Sequence, residues 1–265
     1  MLGLGNTKND ESIKEIPSDD SYPMVSILFS KDNGIDVNAL SLTVLDLISR
    51  DQIRCDIDLD DSYEVGKKLT TEDMEVMKGI TLRIANKGEL KTSESATINL
   101  LKNLNKGKKF NLKSMAKQTN NHSIANKFER DFNDFIKALK KENAYDGENY
   151  SDILNAGKLT DKGKKIKNQW KDYKDYLKSK DLSKKYPPES SEECTAQIIY
   201  AACFGVERDA LKAREINNNL ADLIDKDGYK LLNIIFNNAL LNVTEKRKGD
   251  GIFYGVNDKY TVPGA

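Results

Sequence analysis

Five lysines, Lys164, Lys167, Lys171, Lys174 and Lys178, recur at spacings of three and four, so a helix through them carries all five ammonium groups on one face. Such a face can lie across phosphate groups of an anionic membrane surface or a nucleic acid, each lysine adding a screened attraction. The same spacing also suits a solvated face whose lysine stems cover apolar surface, with Asp161, Asp172 and Asp175 alongside. A third arrangement sets these lysines against the acidic end of the same chain or of a second copy, although exposed pairs contribute little energy each. These five residues are the candidate anion- or partner-binding surface.

Other reactive chemistry is sparse. Asp56, Asp58, Asp60 and Asp61 crowd together like a calcium loop, but no glycine turn or terminal Glu follows at the required spacing. The three cysteines, Cys55, Cys194 and Cys203, form no CxxC pair and no zinc spacing, and are expected to be reduced, small, buried residues. His122, the only histidine, lies beside Asn120 and Asn121 with no second ligand type near it. The chain lacks a Walker-type loop, GxGxxG, GxSxG and HExxH. No catalytic, cofactor or metal residue is assigned, and the chain is expected not to be an enzyme.

Charge distribution says more than charge sum. The 42 basic and 42 acidic residues cancel, which argues against a general nucleic-acid coat. Residues 1–61 hold 13 acidic and 5 basic side chains, whereas residues 87–185 hold 24 basic and 13 acidic. The start, Met1–Asn6, has no basic region and no apolar stretch after it, so a secretory signal is not expected. Leu231–Val243 is the most apolar late segment, but four asparagines interrupt it and it falls short of the roughly 20 residues a spanning helix needs.

The elements that must position the lysines follow from hydrophobic period. Residues 1–20 read as a flexible leader. Met24–Phe29 predicts a first helix, and Asp36 can cap a second, deeply buried one with Leu40, Val44, Leu47 and Ile48 on its stripe. Ile53, Cys55, Ile57 and Leu59 alternate with polar residues as a strand, and Ile80–Ile84 predicts another, with a polar, wing-length stretch between. The order then repeats. A helix from about Ser93 to Leu104 precedes a brief one at Leu112–Lys117 and a strongly amphipathic one carrying Ile124, Phe128, Phe132, Phe135, Ile136 and Leu139. Ala144–Tyr145 and Lys158–Thr160 predict strands around a wing at Asp146–Asn155, and Thr160 or Asp161 caps the lysine helix. After Pro187 and Pro188 come helices at Cys194–Phe204, Arg208–Asn218 and Gly228–Val243. The row Asn233, Asn237, Asn238 and Asn242 is expected on the wet side of the last of these, and the aromatics at helical spacing are expected in the core.

The predicted fold is mainly α with small β wings: a leader (1–20), two tandem winged-helix-like units (21–90 and 91–185), a C-terminal helical segment (186–248) and an extended tail (249–265).

Several segments taken in order resemble a known family. Glu15–Asp19 (EIPSD), Ala39–Arg50 (ALSLTVLDLISR), Leu159–Lys164 (LTDKGK), Trp170–Leu177 (WKDYKDYL) and Tyr200–Val206 (YAACFGV) together resemble the cytoplasmic region of the YciQ-like predicted membrane proteins of bacteria and archaea. The resemblance implies a domain of unknown function on the cytoplasmic side, tethered to a membrane in a full-length parent or standing alone as a relative. It carries over no catalytic residues. The expected role is protein binding or scaffolding, with a protein partner or the protein's own membrane region as the contact and an anionic membrane surface as a further candidate. The rival is a winged-helix nucleic-acid-binding regulator using residues 87–185. In the first unit Asp36, Asp46 and Asp51 flank the reading helix and would repel phosphates, and in the second Glu129, Asp131 and Asp134 interrupt Lys127, Arg130, Lys137, Lys140 and Lys141.

Overall fold

Amphipathic and alternating stretches become, in the computed structural model, thirteen helices and five short strands among the described residues. Those residues are 15–18, 21–30, 35–59, 63–66, 70–85, 88–142, 150–155, 157–213 and 218–247. The expected tail at 249–265, the expected strand at Ala144–Tyr145, most of the leader and residues 146–149 of the expected wing at Asp146–Asn155 lie outside them.

Helix α1 (Tyr22–Phe29) packs on α2 (Val37–Ser49), the centre of the core. The Asp36 carboxylate caps α2, accepting from the backbone N–H of Asn38 at 3.0 Å. Leu40, Leu42, Val44, Leu45 and Leu47 are all fully buried, because apolar residues cover most of the helix circumference and neighbours surround it. Strand β1 (Ile53–Ile57) pairs antiparallel with β2 (Ile80–Ile84), with Cys55 opposite Leu82 on the covered face. Arg54 stands directly opposite Arg83 on the other face, a repulsive pair that Asp56 relieves by approaching Arg83 at 3.6 Å.

The polar stretch between these strands is not simply a wing, since it contains helix α3 (Thr71–Gly79). Thr70 and Asp73 form a reciprocal capping box: the Asp73 N–H donates to Thr70 Oγ1 at 3.2 Å, and the Asp73 carboxylate accepts from the Thr70 backbone. Only Met74, Val76 and Met77 give this helix an apolar side, which is too little periodicity to reveal it in advance.

Helix α4 (Thr92–Asn105) leads into β3 (Lys109–Asn111), which pairs with β2. The three-stranded sheet therefore joins residues 53–84 to residues 109–111 across the expected boundary at 90. Asn111 then caps α5 (Leu112–Thr119), and Asn121 caps α6 (His122–Lys141). Phe128, Phe132 and Phe135 form a stacked row on α6 facing α4, and Phe128 stacks on Phe236 with centroids 5.7 Å apart. The turn α7 (Tyr150–Ile153) precedes a minimal hairpin, β4 (Leu154–Asn155) with β5 (Lys158–Leu159). Then come α8 (Asp161–Lys178), α9 (Lys180–Lys185), α10 (Ser191–Cys203), α11 (Glu207–Ala213), α12 (Asn219–Asp225) and α13 (Gly228–Arg247). The chain is thus mainly α with small antiparallel sheets.

Two of the four asparagines of α13 depart from the expected wet face. Asn233 is buried and donates to Asn38 Oδ1 at 3.2 Å, while Asn242 donates to the Thr119 carbonyl at 2.9 Å. Asn233 and Asn242 thus bridge α13 to α2 and α5.

Gly163 fixes how α8 meets the hairpin. A Cβ at this position would overlap the Ile153 carbonyl oxygen, which is already committed to the Thr160 N–H at 3.0 Å. Gly163→Ala is expected to lower stability in urea unfolding by about 1–3 kcal/mol, the usual cost of overpacking.

Candidate functional site

Helix α8 begins where Thr160 caps it, its Oγ1 accepting from the Gly163 N–H at 3.1 Å. Trp170, Tyr173, Tyr176 and Leu177 are buried along one flank. The Trp170 ring lies 4.8 Å from Tyr200 of α10 and 6.1 Å from Phe204, centroid to centroid, and 5.7 Å from Tyr173. The Tyr176 hydroxyl donates to the Tyr186 carbonyl at 2.8 Å, which fastens the C-terminal end of α8 to the residue after α9.

The predicted lysines occupy the adjoining edge. Lys164, Lys171 and Lys178 are exposed, and Lys167 and Lys174, nearer the buried flank, are half-buried. Lys164 pairs with Asp161 at 2.9 Å, and that contact holds the Asp161 carboxyl below the usual carboxylate range. The Lys167 ammonium sits 5.2 Å above the Phe29 ring. Burial lowers the Lys174 ammonium from its ordinary value, Lys178 and Lys167 lower it further by repulsion, and Asp175 opposes them. The edge is therefore continuous in charge and under internal repulsion. On α6, Lys127 donates to Asn103 at 2.9 Å, and Lys137 pairs with Asp134 at 3.1 Å, as Lys164 does with Asp161 on α8.

Ionisable groups converge at a second place that the sequence did not reveal. An open cleft of about 320 Å³ lies between α1, α2, α4 and the end of α6, with Asp46, Arg50, Lys91, Glu94 and Glu142 in its lining. Arg50 forks onto Asp46 at 2.7 and 3.3 Å and reaches Glu94 at 2.8 Å. Glu94 also accepts from the Lys91 backbone N–H at 2.9 Å, and Glu142 grips Ser93 through its N–H and hydroxyl, each at 2.7 Å. Burial raises the Asp46 carboxyl, although Arg50 pulls it down. Each carboxylate of the cleft is engaged by a donor of this chain, so the cluster braces helix ends against one another. The Asp46–Arg50 spacing of four was a readable sign, whereas Glu94 and Glu142 come from remote segments.

A third cluster is buried. Asp227, 2% exposed and in the left-handed conformation at φ 50°, accepts from the Val65 N–H at 2.7 Å, Arg208 Nε at 2.9 Å and Lys230 at 3.3 Å. Arg208 also donates to the carbonyls of Tyr63 and Asp225. Beside it Glu207 is 6% exposed, and its Oε2 has no hydrogen-bond partner among the described residues.

The remaining candidates are dispersed. Asp56 pairs with Arg83, Asp58 accompanies it on β1's continuation, and Asp60 and Asp61 lie outside the described residues. His122 is exposed and 3.1 Å from Asn126. None of the three cysteines forms a disulfide; burial pushes the Cys55 thiol up to about 12, and Cys203 donates to the Tyr22 carbonyl at 3.3 Å. Among the described residues no cluster of three His, Cys, Asp or Glu side chains is arranged to hold a metal ion. No helix among them is long and apolar enough to cross a membrane.

Fold and sites define a mainly α domain with one lysine-edged helix and two polar clusters. Residues 10–156 match the family described as "Predicted membrane protein (DUF2207) C-terminal domain", and the chain belongs to that family. The lysine edge lies beyond the matched residues. No curated protein and no solved structure matches the chain.

Burial raises Glu207 from 4.5 to about 7, with Lys230 and Arg208 pulling it down and Asp227 pushing it up. Below 4.5 the carboxyl is protonated folded or unfolded, and as pH rises from 4.5 through about 7 the unfolded state ionises first, so stability is lost across that window. Glu207→Gln is expected to remove this loss: thermal midpoints of variant and wild type diverge in the variant's favour from pH 4.5 to about 7 and stay parallel above it.

Proposed function

We propose that this domain is a non-catalytic docking module of its membrane protein, of the YciQ-like kind, working on the cytoplasmic side. It binds a protein partner or the protein's own membrane region through the lysine edge of α8. The observation that carries this reading is the anchored helix: Trp170, Tyr173, Tyr176 and Leu177 fix one flank while Lys164, Lys171 and Lys178 project from the next. A surface whose charges are held in register by a packed core needs no ordering when a partner arrives. Basic segments also concentrate on the cytoplasmic side of membrane proteins. The cleft supports a binding role over acid–base chemistry, since Arg50, the Lys91 N–H and Ser93 already occupy its carboxylates.

The test is sedimentation of the 265-residue chain with native membranes. Wild type is expected to pellet with them, and Lys164→Glu/Lys171→Glu/Lys178→Glu to remain in the supernatant with an unchanged circular-dichroism spectrum. Equal pelleting of the two, or none of either, would sink the reading.

A further inference from the structure

Lys164 to Lys178 spans about 21 Å along the helix axis at about 1.5 Å per residue, and the five lysine positions lie along one edge of it. The exposed carboxylates Asp161 and Asp175 lie to one side of this edge, with Asp161 paired to Lys164 at 2.9 Å. A helix in a nucleic-acid groove meets phosphates on both sides, so those carboxylates would face phosphate there. A planar layer of phosphates meets one edge only.

We infer that the lysine edge of α8 rests on the phosphate headgroups of an anionic bilayer, as a peripheral contact that inserts no side chain. The inference depends on the docking reading and names the partner for it. Residues 161–185 contain lysines and no arginine, which gives point charges suited to a diffuse anionic layer and not the bidentate forks that read a particular group. The large apolar side chains of α8 that could anchor in acyl chains, Trp170, Tyr173, Tyr176 and Leu177, are all turned into the core. The repulsion that Lys167 and Lys178 exert on Lys174 is relieved by the same anions. Membership of a membrane-protein family keeps a bilayer in reach of the domain, so individually weak contacts suffice.

The experiment is co-sedimentation of the 265-residue chain with phosphatidylcholine vesicles, with and without about 30% phosphatidylglycerol. The chain is expected to bind only the anionic vesicles and to leave them when salt rises from about 0.05 to about 0.3 M. Lys164→Gln/Lys171→Gln/Lys178→Gln is expected to weaken binding about fivefold per lysine, about a hundredfold in all. Lys108→Gln/Lys109→Gln/Lys141→Gln, which removes the same net charge elsewhere, is expected to stay within about threefold of wild type. Trp170, the only tryptophan and buried beneath the edge, should keep its emission maximum on binding. Retention by native membranes without binding to anionic vesicles would overturn the lipid assignment and leave the docking reading standing; loss of both would remove both. Equal weakening by the two triple variants, a shift in Trp170 emission, or tighter binding to duplex DNA at the same salt would each overturn the inference.

Discussion

The lysine edge of α8 depends on the aromatic packing beneath it. Five ammonium groups along one helix repel one another, and an isolated helix of this composition would have little reason to hold them in line. Burial of Trp170, Tyr173, Tyr176 and Leu177 supplies that reason, each large side chain contributing about 1.5–3 kcal/mol when removed from water. Trp170 packs against Tyr200 and Phe204, Tyr200 against Tyr22, and Phe204 against Phe29. Lys167 then lies over Phe29, so even part of the charged edge is placed by an aromatic ring. The dependency runs from the central helix α2, through α1 and α10 packed on it, to α8 at the surface.

Polar clusters hold the elements that this packing does not reach. Asp227 joins α13 to Arg208 on α11 and to Val65 in the segment before α3, which is 162 residues away in sequence. Tyr229 and Asn233 both donate to Asn38, tying α13 to the start of α2. A left-handed Asp at the α12–α13 turn aims the carboxylate inward, and its charge is matched by Arg208 and Lys230. These bonds tie residues after 156 to residues within the family match, so the C-terminal helices complete the core that the matched region begins.

Much of this was legible from period and caps. The α2 stripe, the phenylalanine row of α6 and the Thr160 cap follow from spacing alone, because each is decided within a few turns of helix. The lysine edge was legible for the same reason, and it adjoins the buried stripe that includes Ile166, Trp170, Tyr173 and Leu177. Tyr176, at the margin of that stripe on the helix circumference, extends the buried flank. Helix α3 was hidden because its capping box is polar and its apolar side is three residues wide. The pairing of β3 with β2 was hidden because three residues carry no readable alternation and the partner strand is remote. Asn233 and Asn242 looked wet because an amide's composition does not say whether a partner such as Asn38 or the Thr119 carbonyl waits across the interface.

The distribution of charge bears on how such a domain could act. Where ionisable groups of opposite sign meet, at the exposed Arg50 with Asp46 and Glu94 and at Arg208 with Asp227, they stand within about a hydrogen-bond length, and their fields cancel over short range. Groups bound this way hold helix ends in place. At the edge of α8 the like charges are adjacent, and their fields add. Added fields act over about a Debye length, roughly 8–10 Å at ordinary salt, which is far enough to attract a charged surface before contact. A rigid helix carrying such a field along one edge, with Asp161 and Asp175 to one side of it, also has a preferred orientation towards any anionic plane. Binding through α8 would therefore fix which way the rest of the domain faces, something a flexible basic tail of equal charge could not do.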